Sequence, residues 1–361
     1  MSIDLFIPVV PPDHIHAAFS TLHGSARPSE KAVLQEWAKG FEDRDGKFVK
    51  EFQMTLDSSF WELYLHKAFK ELGFAVDYGK VSPDFCIAAP EPLIVEATVS
   101  LHAVGGVPMT ETDPLEKPDD FNEFDRQAII RLANSIDSKV RKYRGSYAAL
   151  PHVAGKPFVI AVAAFDRPHF YLQAQRAVEA LLYRSYVDEE QHLRDHPKLD
   201  VPLKVQDLPF VKKDSGAKID LGLFCDDSLP EVSAIIQSTS ATWSKVRAMC
   251  DDPDVMIEAI YEDRVNGKVR VFKGPNEKYR ESILSGLRVY HNPYAELPID
   301  PTLFRRPEIF QATAIGPAAI RTVADSGHIL VNRVATLFPE GTMRRVLEGA
   351  ESGKSYWYET K

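Results

Sequence analysis

Asp84 and Glu96 interrupt the apolar runs on either side of "APEP" in the stretch "VSPDFCIAAPEPLIVEATVS". If "APEP" is the turn of a hairpin, side-chain alternation puts both acids on one face. Pairing Ala89 with Leu93 sets Asp84 opposite Thr98 and makes Asp84 and Glu96 diagonal neighbours. Two adjacent carboxylates repel each other unless a positive charge lies between them, and Mg²⁺ bound by two carboxylates, water and phosphate meets that need. The alternative is two ordinary acids at strand ends.

A helix must precede this hairpin, because "DSSFWELYLHKAFKELGF" carries apolar residues at i, i+4, i+7 and i+11. Ser58 or Ser59 is the expected N-cap, and Gly73 is expected to end the helix. Glu62 lies about 100° from the first residue of the apolar stripe, at its edge. The stripe consists of Trp61, Leu65, Ala68 and Leu72.

A second helix, "NEFDRQAIIRLANSIDSKVRKY", is predicted to cover the hairpin. Lys139 flanks its apolar stripe, so it either points at the acids or extends along the stripe's margin to solvent. Lys142 is predicted to point away from the stripe. Asp125 is expected to be an acid of the first turns, favoured by the helix dipole. The stripe consists of Ile129, Leu132, Ile136, Val140 and Tyr143.

Further along the chain, strand-like and helix-like segments alternate, which indicates an α/β layered domain. "KPFVIAVAAF" and "SAIIQSTSATW" are predicted strands, and "FYLQAQRAVEALLYRSY" is a predicted helix between them. "VMIEAIYEDRVNGKVRVFKG" predicts a hairpin around Asn266-Gly267. Near the N-terminus, a helix is expected to start at Ser29. We therefore predict an N-terminal arm at 1–45, an α/β core at 46–250 and a C-terminal extension packed on the core at 251–361.

The composition narrows the function classes. The formal net charge is −9, which argues against a generally cationic nucleic-acid binder. The three cysteines are far apart and form no disulfide pattern, which is typical of a cytoplasmic protein. The first twenty residues make a poor signal peptide, and we expect no membrane span.

The quoted segments resemble the PD-(D/E)xK nuclease superfamily, whose fold is the restriction-endonuclease-like core, a mixed central sheet flanked by helices. The resemblance covers roughly residues 58 to 165. It rests on "FWELYLHKAFKELGF" with Glu62, "SPDF" with Asp84 and "IVEAT" with Glu96, in the superfamily's order of helix, strand and strand. Where the superfamily has a lysine two residues after the glutamate, this chain has Thr98.

The resemblance implies hydrolysis of phosphodiester bonds in DNA with Mg²⁺ or Mn²⁺. Asp84 and Glu96 would hold the metal, the carbonyl of Ala97 would be a further ligand, and Glu62 would support a second ion or a water. A metal makes hydroxide available near neutral pH and stabilises charge on phosphate. Thr98 brings a hydroxyl but no charge, and Lys139 is the candidate to replace the missing lysine.

A basic and aromatic patch at the end of the second helix offers nucleic-acid contacts through Lys139, Arg141, Lys142, Arg144 and Tyr143. Equally, these cations could simply complement the helix dipole. The leading hypothesis is a cytoplasmic nuclease with a role in restriction or phage defence, acting as a homodimer or as a subunit of a defence system. The rival, favoured by the missing lysine, is a catalytically silent relative that binds nucleic acid or a protein partner.

Overall fold

The described part of the chain forms a mixed α/β fold around a large central sheet. The structure is a computed structural model, and the order of its central strands is β1-β2-β3-β4-β9-β12-β13-β14. A second sheet has the order β15-β10-β11-β16. The described residues are 3–24, 28–102, 105–106, 118–197, 201, 203–263, 268–322, 328–342 and 356–359.

The strands of the central sheet are β1 (Ala75–Val76), β2 (Phe85–Ala89), β3 (Leu93–Ser100), β4 (Phe158–Ala164), β9 (Val232–Ser238), β12 (Arg288–His291), β13 (Phe310–Gly316) and β14 (Ala319–Thr322). The remaining strands are β5 (Ser185–Val187), β6 (Val205–Asp207), β7 (Phe210–Lys212), β8 (Lys218–Asp220), β10 (Val255–Asp263), β11 (Val269–Pro275), β15 (His328–Leu337) and β16 (Trp357–Glu359). The α-helices are α1 (Ala17–Gly24), α2 (Pro28–Trp37), α3 (Phe48–Met54), α4 (Asp57–Leu72), α5 (Phe121–Lys142), α6 (Arg176–Tyr183), α7 (Glu189–Asp195) and α8 (Trp243–Met249).

The centre of the sheet is parallel, because β4 pairs in parallel with both β3 and β9. Every residue of β4 and β9 is buried, which explains the continuous apolar run "FVIAVAA" in β4. Strand β9, "VSAIIQS", combines an apolar centre with the buried polar residues Ser233, Gln237 and Ser238. Helix α4 packs in the core layer on one face of the sheet, and α5 and α6 pack in the layer on the other. The two faces of the hairpin β2–β3 therefore contact different helices.

Helix α4 confirms the prediction from its apolar stripe, since Trp61, Leu65 and the rest of the stripe are buried. Trp61 also donates a hydrogen bond from Nε1 to the carbonyl oxygen of Ala161 in β4, at 3.1 Å. Gly73 ends the helix in the left-handed conformation, φ 83°, as expected. The predicted serine N-cap was wrong: the helix starts at Asp57, and no side chain caps it.

Helix α5 is also confirmed, and it forms the crossover between the parallel strands β3 and β4. Asp120 caps its start by accepting a hydrogen bond from the amide of Glu123 at 3.0 Å. Asp125 is buried, and its carboxylate lies 3.4 Å from Arg176 in α6. Asp125 therefore joins two helices instead of contributing to the hairpin site.

Several predictions around this core need correction. The predicted helix "FYLQAQRAVEALLYRSY" is divided, because a 3₁₀ turn at Phe170–Gln173 precedes α6. Ser29 is not an N-cap, since α2 already includes Pro28. The hairpin of β10 and β11 is confirmed, whereas its predicted turn, Asn266-Gly267, lies outside the described residues.

Residues 251–361 were predicted to form an extension that packs on the core. In the structure they also contribute strands to the central sheet. Strand β12 pairs with β9, β13 pairs with β12, and β14 pairs with β13, so this region supplies three strands of the central sheet. Residue 250 is therefore not a boundary of the sheet. The mixed central sheet flanked by helices is confirmed, while its restriction-endonuclease-like identity stays a prediction. In the described residues we find no helix with the length and apolarity of a membrane span.

Candidate functional site

The hairpin register brings the two acids of the motif closer than the sequence predicted. Phe85 pairs with Val95 and Cys86 with Ile94. Continuing this register by one residue places Asp84 opposite Glu96, so the predicted pairing of Asp84 with Thr98 was wrong by two residues. A shift of two keeps every side chain on its face, and the shared face of the two acids is therefore retained.

Asp84 lies just before the first residue of β2, where the hairpin leaves the sheet. Its Oδ2 accepts a hydrogen bond from the backbone amide of Ala97 at 2.7 Å. Burial raises the pKa of Asp84 to about 6, and the negative charge of Glu96 contributes to the increase. A carboxyl group in this position becomes a stronger ligand for a cation as soon as it loses its proton.

Glu96 is fully buried in the middle of β3 and is paired with lysines of α5. Its Oε1 accepts hydrogen bonds from the Nζ of Lys139 at 2.9 Å and from the Nζ of Lys142 at 2.8 Å. Its Oε2 has no hydrogen-bond partner in the described structure. The positive charge expected beside this acid is therefore present as two ammonium groups.

The contact with Lys142 corrects the prediction that this side chain points away. Residues three apart are neighbours on a helix surface, and a four-carbon side chain covers the remaining distance. Lys139 is the more enclosed of the two, with 19% of its side chain exposed against 47% for Lys142. The Nζ of Lys142 also lies 5.0 Å from the ring centroid of Tyr147, a cation–π contact.

Glu62 of α4 faces Asp84 from the other helix layer. Both residues line a cavity of about 170 Å³. Burial and, to a smaller extent, the charge of Asp84 raise the pKa of Glu62 to about 8, while Arg44 and Lys139 act in the opposite direction. Lys139 also lowers the pKa of Asp84, so this one lysine acts on all three acids of the predicted motif.

The cavity is strongly acidic. Arg44 is the basic side chain on its wall, and the acids outnumber it. Some of these acids have local partners: Asp43 accepts hydrogen bonds from the amides of Lys47 and Phe48. The other lining residues are Phe41, Glu42, Asp45, Glu51 and Val81.

The arrangement fits a divalent cation held by few protein ligands. Among the described residues, no three His, Cys, Asp or Glu side chains converge as a complete protein cage. Mg²⁺ does not require one, because it commonly binds through one or two carboxylates and completes its shell with water and substrate phosphate. Asp84 and Glu62 supply two carboxylates on one small cavity, and each has a raised pKa that a cation would lower.

Two other residues of the predicted site, Ala97 and Thr98, follow Glu96 on β3. Thr98 is half-buried on the same strand face as Glu96 and pairs with Val162 of β4. The amide of Ala97 binds Asp84, whereas a metal-ligand role for its carbonyl stays a prediction. Glu96 as a metal ligand also stays a prediction, with Oε2 as its available atom.

The predicted basic and aromatic patch is largely occupied by contacts within the protein. Arg141 pairs with Asp137 at 2.8 Å, and Arg144 pairs with Glu231. Tyr143 stacks on Phe158 with a centroid distance of 4.2 Å, so one ring face is covered by the core. Tyr143 therefore has a structural role on that face. Arg141 and Arg144 keep 72% and 56% of their side chains exposed, so their nucleic-acid contacts stay a prediction, and Lys139 and Lys142 are the cations bound to Glu96.

Sequence reasoning missed the contact of Lys142 with Glu96 and the contribution of Arg44. The spacing of three residues from Lys139 was the available signal for Lys142. Arg44 gave no signal, because it comes from the loop between α2 and α3 and meets Asp84 only through the fold. No protein-family model matches the chain, and neither the curated proteins nor the solved structures provide a significant match.

Proposed function

We propose that this protein is a phosphodiesterase that cleaves DNA with the aid of Mg²⁺ or Mn²⁺. The observation that supports it most is the shared cavity of Asp84 and Glu62, two carboxyl groups with raised pKa values, next to a buried glutamate that holds two lysines. Perturbed carboxyl groups around a cavity are typical of functional sites. The resemblance to PD-(D/E)xK nucleases supplies the substrate class.

Asp84 and Glu62 would hold the cation. A divalent ion bound by them supplies positive charge for a phosphoryl oxygen and lowers the pKa of water. The protein's own part is to orient both carboxylates: the amide of Ala97 fixes Asp84, and the buried stripe of α4 fixes Glu62. Both acids must be ionised to bind a cation, so we expect cation affinity to rise with pH between about 6 and 8.

Lys139 and Lys142 would provide the charge that Thr98 does not. The buried carboxylate of Glu96 orients both ammonium groups, and the partial exposure of each lysine leaves it accessible to a phosphate. Preorganised cations beside a reacting phosphate stabilise the charge that develops in the transition state. In this proposal the superfamily's lysine is functionally replaced from the neighbouring helix.

The second candidate is a catalytically silent subunit that binds nucleic acid or a partner protein. One observation favours it: Oε1 of Glu96 is already bound by two lysines, which neutralises an acid expected to bind metal. In such a subunit the two lysines would stabilise the buried glutamate, and no metal ion would be required at the site. A role in restriction or phage defence, in either case, derives from the resemblance alone.

Supercoiled plasmid with Mg²⁺ or Mn²⁺ tests the proposal. We expect the wild type to nick it, and Asp84→Asn and Glu62→Gln to reduce the rate by about 10²-fold or more, because each removes charge that acts on the reacting phosphate. Asp137→Asn is the matched control, since it removes an exposed acid that pairs with Arg141 on the surface of α5. A wild type that is inert with both ions, on DNA and on RNA, would favour the silent subunit.

A further inference from the structure

The chain that leads into Asp84 is held by two side chains, Arg44 and His152, that come from different parts of the fold. Nη1 of Arg44 donates hydrogen bonds to the carbonyl oxygens of Lys80 at 2.8 Å and Pro83 at 3.1 Å. Nε2 of His152 lies 2.7 Å from the carbonyl oxygen of Ser82. Both side chains are partly buried, so water competes less with these bonds than it does at the surface.

This segment needs such support, because strand pairing does not fix it. The ladder between β2 and β3 starts at Phe85, one residue after Asp84. Four consecutive residues, 80–83, therefore approach the site outside the sheet. Three of their carbonyl oxygens bind Arg44 or His152, which fixes the position of the main chain from which Asp84 extends.

Both supporting residues lie next to local hydrogen bonds of the backbone. Arg44 belongs to a turn in which Asp43 accepts hydrogen bonds from the amides of Lys47 and Phe48, each at 3.1 Å. His152 precedes Val153, which is completely buried and donates a backbone bond to Leu150. His152 follows the helix that carries Lys139, so it also links the lysine side of the site to Asp84.

We infer that Arg44 and His152 are positioning residues, which set the carboxylate of Asp84 against Glu62 for cation binding. The inference rests on the proposed function. Residues that orient a metal ligand usually cost 10- to 100-fold in metal affinity when they are replaced. Neither residue needs to touch the DNA or the cation to have this effect.

Mn²⁺ binding to the purified full chain, measured by calorimetry without nucleic acid, tests the inference independently of catalysis. We expect His152→Leu to weaken Mn²⁺ binding by about 10-fold or more. Arg44→Met should also weaken it, but by less, because this change removes a positive charge from the cavity wall. His152→Gln keeps an N–H donor at a similar distance, and we expect it to stay within about threefold of the wild type. Arg306→Met is the matched control, because Arg306 also donates to two backbone carbonyl oxygens, of Arg305 and Leu72.

Activity provides a second readout that a merely structural role would not change. In the plasmid assay, His152→Leu should need about 10-fold more Mg²⁺ for half-maximal rate and keep the wild-type KM for DNA. If Arg44→Met does not fold, the pair His152→Leu and His152→Gln decides. Wild-type Mn²⁺ affinity in folded His152→Leu would overturn the inference alone, whereas a wild type that binds no Mn²⁺ would overturn the proposed function together with it.

Discussion

Two regions of the molecule bring carboxylates and cationic side chains together, and they differ in how far solvent reaches these groups. In the cavity region, Asp84 and Glu62 face open space. In the C-terminal region, Glu281 pairs with Lys245 of α8 and Arg333 of β15, and the side chains of all three have no exposure. Tyr279 adds a hydrogen bond to Oε2 of Glu281 at 2.8 Å.

The difference shows that buried charge alone does not indicate chemistry. Burial lowers the pKa of Lys245 to about 8, a shift comparable to those in the cavity. Yet Lys245 donates to Glu281 and to the carbonyl oxygens of Ser282 and Ser285, so its donors are used by the protein. We interpret this region as a structural junction between α8, β15 and the chain before β12, and the cavity as the functional region.

The largest loss of stability is expected when a charge of the C-terminal region is removed. Glu281→Gln should lower the free energy of unfolding by about 3–5 kcal/mol, because two buried cations lose their counter-charge. Equilibrium urea unfolding at pH 7 measures the loss. Glu258→Gln is the matched control, since Glu258 pairs with Lys273 on the exposed surface. A loss below about 1 kcal/mol would mean that Glu281 contributes no more to stability than an exposed ion pair does, and would contradict the structural role of this region.

A smaller loss of stability is expected from the lysines of the cavity region. Lys139→Met combined with Lys142→Met leaves Glu96 buried without a cation and should cost about 2–3 kcal/mol, less than the C-terminal change because water reaches this region. Each single variant retains one ammonium group and should cost less than half of that loss. Urea unfolding again measures the effect.

Adding Glu96→Gln to the double lysine variant controls for the source of this loss. If the buried charge is responsible, the neutral amide should recover most of the stability. If the triple variant is no more stable than the double variant, the lysine stems contribute by packing, and the interpretation of Glu96 as an anchor for two cations is wrong.

The smallest expected change in the free energy of unfolding depends on pH and comes from Glu62. Glu62 binds its proton more tightly in the folded protein, with a pKa of about 8 against an ordinary value of 4.5, so its contribution to stability is complete below pH 4.5 and is lost as pH rises through 8. Undiminished, this difference in pKa would correspond to about 5 kcal/mol at pH 9. Because Glu62 is half-buried and lines a cavity that water enters, we expect Glu62→Gln to be more stable than the wild type by about 1–2 kcal/mol at pH 9 and equal to it near pH 4.

Thermal or urea unfolding across this pH range measures the difference. Glu71→Gln is the control, because Glu71 is exposed on the same helix. A pH-independent difference between Glu62→Gln and the wild type would show that desolvation does not perturb Glu62.

Much of the site's framework could be predicted because local periodicity determines it. The stripe of α4 with Gly73 and the stripe of α5 located both helices to within about a residue at most ends. The shared face of Asp84 and Glu96 tolerated a register error of two, since the strand period is two. The reach of Lys142 could not be derived, because a helical angle gives the direction of Cβ and not the position of Nζ.

Long-range pairing accounts for the rest. Strand β12 has four residues and begins with the buried Arg288, so its sequence lacks the apolar run that identified β4. Its place beside β9 depends on the whole sheet. The same holds for Arg44, which meets the chain before Asp84 only after α4 and the hairpin have packed.

The placement of β9 has a consequence for synthesis on the ribosome. Strand β9 has seven buried residues and pairs with β12 through Ala234–Gln237, yet residues 239–287 must be made between the two strands. At ribosomal speed this leaves an apolar strand edge open for several seconds. Nascent chains that stop before residue 288 should therefore be prone to aggregation, and the final strands of the central sheet act as its closure.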